Sequence, residues 1–213
     1  MFFLMFPWLL GGTECSFVAT SGSSSSDEER RNGLVIIIQD GQLVDAPVEG
    51  VRFESGALNG VTGPNGEFQF EDGATVAFFI GDIPLGDEVP AKAFMTPLDL
   101  VPGGDIDTPA VINIARLLQS LDALPGDRRI TIPAQVRGLA RRANSGLGAT
   151  IEALDFADDT AFVNAASQLV ATLTQAYGFT AMLVDADTAR RHLQDSLLEA
   201  NSLGVNAATA PVR

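Results

Sequence analysis

Apolar residues change their spacing midway along this chain. From Gly33 to about Leu100 they fall in short alternating runs, and from Asp107 onward they recur every three to four residues. The clearest β signal lies between Gly60 and Gly86. Phe68 and Phe70 share one face there, with Glu67, Gln69 and Glu71 on the other. Pro64-Asn65-Gly66 is a turn signal, because proline presets one dihedral and Asn-Gly accepts positive φ. Gly73 interrupts the run, Val76 to Ile80 resume it, and Gly81-Asp82 closes it. Upstream, Leu34 to Ile38 is continuous and β-branched, which predicts a strand buried on both faces, and Asp40-Gly41 reads as a hairpin turn. Val48, Val51 and Phe53 predict the next strand and Ala57 to Val61 another. This short, regular spacing predicts a small antiparallel β-sandwich or partly open barrel. Thr96-Pro97-Leu98-Asp99-Leu100 ends that half as a connector or edge.

The second half predicts about four helices. Thr108 and Pro109 open the first, and Val111, Ala115, Leu118 and Leu121 form its stripe, widened by Ile114 and Leu117. After a short extended Ile130-Thr131-Ile132, Pro133 opens a second helix through Arg142, carrying Arg137 and Arg141. A third runs from Asp158 or Asp159 to about Tyr177, with Phe162, Ala166, Leu169 and Leu173 on one face. A fourth follows Asp185, carries Ala189, Leu193, Leu197 and Ala200, and stops at Gly204. Each helix has one apolar stripe and needs a partner surface. The expectation is an α+β chain: a β module over 33–100, a helical part over 101–204 packed on it, and a tail over 205–213.

The N-terminus adds a location. Met1 to Leu10 is apolar throughout but half the length of a bilayer span, which takes about 20 residues. It reads as the hydrophobic part of a secretory signal, although the basic residues that usually precede one are absent, which leaves open a start upstream. Residues 1–15 are thus signal-like or lipoprotein-like, with Cys15 the candidate for lipidation. Residues 16–32, with their serine run and Asp27-Glu28-Glu29, read as a polar tether. The expected location is extracytoplasmic: periplasmic, outer-membrane-anchored or secreted. One cysteine excludes an internal disulfide. The net charge of −14, from 27 acidic and 13 basic residues, argues against nucleic acid and against anionic membrane surfaces. Membrane contact is expected only through an N-terminal anchor.

Candidate chemistry is sparse. No Gly-x-Ser-x-Gly elbow exists, and Ser145 lacks a matching frame. The sole histidine, His192, lies beside the last apolar stripe, where packing or capping is the ordinary role. Zinc needs three or four ligands, and only Cys15 adds to His192. Asp99, Asp105 and Asp107 sit in a glycine-containing loop and are the candidates for calcium; none matches an EF-hand spacing. Asp122 and Asp127 flank the end of the first helix. The arginines Arg137, Arg141 and Arg142 form the main basic cluster. No catalytic residue and no cofactor is assigned.

Several stretches together resemble a known type of module. They are Gly60-x-Thr62 through Gly86, Thr96-Pro97-Leu98-Asp99-Leu100, the run from Asn113 to Asp122 (NIARLLQSLD), and Ala189-x-x-His192-Leu193. Their order resembles a module of proteobacterial secreted proteins and lipoproteins. The β half is similar in style to transthyretin-like or carboxypeptidase-regulatory domains. The resemblance implies location and role without catalysis. Such modules often carry an Asp/Asn-Gly-rich, calcium-like loop after the first helix. Here that loop is Leu121 to Arg129, largely without those acids and amides and with Arg128 and Arg129 added. The resulting expectation is a non-catalytic envelope or secreted module, lipoprotein-like, serving binding, adhesion or structure, with an envelope protein or polysaccharide as partner. Two alternatives stand beside it: a calcium-stabilised adhesin domain and a carboxylate-dependent hydrolase.

Overall fold

The computed structural model describes residues 29–31, 34–143 and 146–208. Strands come first and helices second. The strands are β1 (Glu29–Arg31), β2 (Leu34–Ile36), β3 (Ile38–Leu43), β4 (Val48–Glu49), β5 (Arg52–Ser55), β6 (Leu58–Val61), β7 (Glu67–Glu71), β8 (Thr75–Ile80), β9 (Ile83–Pro84), β10 (Val89–Pro90), β11 (Phe94–Met95) and β12 (Ile130–Thr131). The helices are α1 (Pro109–Ser120), α2 (Ala134–Leu139), α3 (Gly148–Glu152), α4 (Asp159–Leu173), extended by a 3-10 turn over Thr174–Tyr177, and α5 (Ala186–Ala208).

One sheet runs β10-β8-β5-β6 with β9 on β8, and a second runs β11-β3-β7. The phenylalanine alternation joins them. Phe68 lies edge-on to Phe78 at 5.1 Å between ring centroids, with Phe53 at 5.8 Å and Phe70 at 5.7 Å. Such tilted and edge-on ring pairs suit the aromatic quadrupole. The sheets form no closed barrel, and two pairings are parallel: β11 with β3 and β12 with β4. The antiparallel-only expectation is corrected here, because a period-2 pattern reveals which face is buried and not strand direction.

Other expectations in this half change as well. The run from Leu34 to Ile38 is not a strand buried on both faces. It is split between β2 and β3, and Ile37 is 44% exposed. β-branched residues favour a strand but do not determine what covers it. Asp40-Gly41 is no hairpin turn. Both residues lie inside β3, paired with Gln69 and Phe68 of β7. Gly41 serves a different need: a Cβ there would stand 2.5 Å from Cζ of Phe68. The reversal comes later, where Val44 and Pro47 bridge across Asp45 and Ala46.

The helical half departs from single stripes at α1. Ile114, Leu117, Leu118 and Leu121 enter the main core with Phe78, Ile80 and Ile83 from the sheet and Phe162 and Leu169 from α4. Val111, Ile112 and Ala115, on another side, pack with Ala189 and Leu193 of α5. α1 is therefore buried nearly all round, as a helix between two partners must be. Thr108 precedes α1, but its hydroxyl donates to Asp105 Oδ1 and caps nothing. Asp158 does cap α4, accepting from the amides of Thr160 and Ala161 at 2.9 and 3.0 Å. Five α-helices occur among the described residues where about four are expected. The addition, α3, has five residues and one buried position, Ile151, too little to show as a period. α5 passes through Gly204 to Ala208, so the tail expected from residue 205 begins as helix. Glycine weakens a helix by about 1 kcal/mol without ending it.

Gly41→Ala is expected to lower stability by about 1–3 kcal/mol, the usual cost of forcing one extra carbon into a packed core. A urea unfolding curve on the full chain checks this.

Candidate functional site

Polar side chains of two helices, Gln119, His192 and Ser196, converge on the turn between β3 and β4. Asp45 there is fully buried. A carboxylate without water needs protein donors, and two helices supply them. Gln119 Nε2 of α1 donates to Asp45 Oδ2 at 2.9 Å. His192 Nδ1 of α5 meets Asp45 Oδ1 at 3.0 Å. A carboxylate only accepts, so the proton lies on Nδ1. The next residue, Ala46, has φ of 56°, a conformation that L residues other than glycine adopt at a cost of about 1 kcal/mol or more. Its N–H donates to Ser196 Oγ of α5 at 2.9 Å. His192 and Ser196 lie four apart, on one face of α5. Together these contacts staple a strained turn to both helices.

The hydrogen bond to Asp45 raises the His192 pKa above its ordinary value. Partial burial opposes this, and the charges of Asp45, Asp195 and Asp122 add to it. His192 keeps a side chain 42% exposed. An Asp–His pair can orient an imidazole for general-base work, and that work needs a nucleophile at the other nitrogen. Ser196 instead accepts the Ala46 amide, and no hydrogen bond joins it to His192 among the described residues. A cleft of about 410 Å³ opens beside the staple, lined by Val44, Ala46, Phe94, Arg129 and Ser196 among others.

A second polar network radiates from α1. Arg116, almost sealed, donates to Val184 O at 2.8 Å, Asn113 Oδ1 at 2.9 Å and Asp159 Oδ1 at 3.1 Å. Its guanidinium also lies 5.2 Å from the Phe162 ring centroid, a cation–π contact. Asn113 donates to Phe156 O, and Ser120 accepts the Val184 amide. Asp122 accepts from the amides of Leu124 and Thr131. Every polar residue named here in the run from Asn113 to Asp122 is spent on holding another segment.

The calcium candidates are placed separately. Asp99 accepts from the Thr96 amide and hydroxyl and pairs with Lys92 at 2.6 Å. Asp105 accepts from the Thr108 hydroxyl and the Asp107 amide, which holds it below its usual carboxylate value. Asp107 faces Arg190 at 3.4 Å. Among the described residues, no three His, Cys, Asp or Glu side chains gather as a metal would require. Cys15 and Ser145 lie outside the described residues. Among those residues, no helix is long and apolar enough to cross a membrane.

Sequence reasoning singles out His192 but neither Asp45 nor Ser196. One signal was available: the His192-x-x-x-Ser196 spacing sets two polar side chains beside an apolar stripe, where a buried partner is called for.

The staple has a pH signature. A histidine whose folded pKa is raised contributes stability fully present below its unfolded value of about 6.5 and lost as pH rises through its folded value. Thermal melts of the wild type are therefore expected to fall from mildly acidic to mildly alkaline pH, and His192→Gln flattens that slope. Asp45→Ala, which leaves both donors without their acceptor, is expected to cost about 2–3 kcal/mol in denaturant unfolding.

No protein family matches the chain, and no solved structure matches it. Among curated proteins, the "Putative lipoprotein AcfD homolog" of Escherichia coli (strain K12) is 38% identical over 78 residues. The match takes in 34% of this chain and 5% of that protein, so the chain is similar to a small part of a much larger one.

Proposed function

We propose that this chain is a non-catalytic, envelope-associated module, lipoprotein-like in its anchoring, that serves binding or structure outside the cytoplasm. The match to a protein described as a lipoprotein homolog carries the reading. The apolar start, Cys15 and the serine-rich tether support it from the sequence. The geometry supports the non-catalytic part. His192 is committed to Asp45, and Asp45 has both oxygens filled by structural donors.

Fractionation of bacteria expressing the full chain tests the reading. The expected result is protein in the membrane fraction that takes up a palmitate label, with the label lost in Cys15→Ser. Recovery of unlabelled protein only in the soluble cytoplasmic fraction would overturn it.

A further inference from the structure

A second cleft, of about 560 Å³, lies where β5, β6 and the β8–β9 turn meet α2. Arg52, Arg137 and Arg141 line it together with Asp82, Val61 and Ala134. Three arginines lining one cleft are notable in a chain of net charge −14.

Arg137 is the informative member. Its Nη1 donates to Ile132 O at 2.6 Å and Gly50 O at 3.1 Å, which fixes the guanidinium in place. Those partners are neutral carbonyls, and no carboxylate pairs with Arg137 among the described residues. Burial accordingly lowers its pKa, with Glu49 offsetting part of the effect from a distance. Its remaining nitrogens have no protein partner among the described residues, yet are not sealed away. A half-buried cation fixed without a counter-charge is stabilised by an incoming anion. Arg52 is fixed as well, 3.9 Å over the Phe79 ring and paired with Glu54. Asp82 uses Oδ2 to accept the Arg142 amide. Its Oδ1 has no partner among the described residues.

We propose that this cleft binds a carboxylate-bearing sugar residue of an acidic polysaccharide, with the Arg137 fork taking the carboxylate, Arg141 and Arg52 adding positive charge to the lining, and Asp82 accepting sugar hydroxyls. The guanidinium fork matches a carboxylate in two parallel hydrogen bonds. Asp82 discriminates between anions. It repels a phosphate dianion but accepts from hydroxyls, and a uronate carries both a carboxylate and hydroxyls. The negative charge of the whole chain opposes long polyanions, so binding is weak and local. The proposal rests on the reading of the chain as a non-catalytic envelope module.

Calorimetric titration of the full chain with trigalacturonate, a neutral galactose trisaccharide and inorganic phosphate tests it. The expected result is binding of the acidic trisaccharide at least about tenfold tighter than either of the others, since one charge-assisted bidentate contact is worth that much. Arg137→Lys keeps the charge but loses the fork, and is expected to weaken the acidic sugar about tenfold. Arg141→Gln, at an exposed position, carries the same test if the first variant fails to fold. Asp82→Asn is expected to weaken the acidic sugar and strengthen phosphate. Equal affinity for the neutral sugar, equal affinity for phosphate, or no binding of trigalacturonate at millimolar concentration would each overturn the proposal. Chromatography of the recovered sugar separates the two readings: cleavage products refute the non-catalytic role and leave the cleft assignment standing.

Discussion

A carboxylate shut away from water must receive hydrogen bonds from the protein, and Asp45 receives them from two helices more than 70 residues away along the chain. Leaving such a group unpaired costs several kcal/mol. The demand therefore acts across the seam between the strand-rich and helix-rich halves. It draws α1 and α5 onto the β3–β4 turn, and Ser196 then holds the strained Ala46 in place. Apolar burial supplies most of the stabilisation, but it is non-directional. The staple adds the register in which the halves meet.

α1 extends the same logic. A helix buried on nearly all sides gains from every apolar contact, yet it must also satisfy each polar side chain that it carries inward. Asn113, Arg116, Gln119 and Ser120 do this by gripping the 156 loop, the 184 segment and the Asp45 turn. Apolar and polar contacts on one helix thus tie strands, α4 and α5 to a common frame.

Much of this was legible in the sequence. The Phe68/Phe70 alternation, the 3.6-period runs and the start of α5 after Asp185 are local properties, and local patterns predict them, whereas the cap expected at Thr108 does not form. The order of strands then helices followed. The parallel pairs of β11 and β12, the exposure of Ile37 and the placement of Asp40-Gly41 inside a strand depend on what packs against them, which no local pattern encodes. The staple was half legible. His192 stood out as the sole histidine, but Asp45 looked like one solvated acid among 27 because nothing nearby in the chain marks it as buried. The arginine cluster was visible in the sequence, but not as one helix face: α2 ends at Leu139, so Arg137 lies in it and Arg141 and Arg142 follow it. The cluster's meeting with Arg52 and Asp82 needed the fold.

The Asp45 staple joins the two halves into one cooperative unit. Native-state hydrogen exchange on wild type and Asp45→Ala tests it most directly. In the wild type the α5 amides from Ala189 to Ser196 are expected to exchange through the same global opening as β7 and β8. In Asp45→Ala those α5 amides are expected to open separately, at lower free energy, while β7 and β8 keep common protection. Uniform loss of protection across all three elements, or α5 amides unaffected by the substitution, would contradict it.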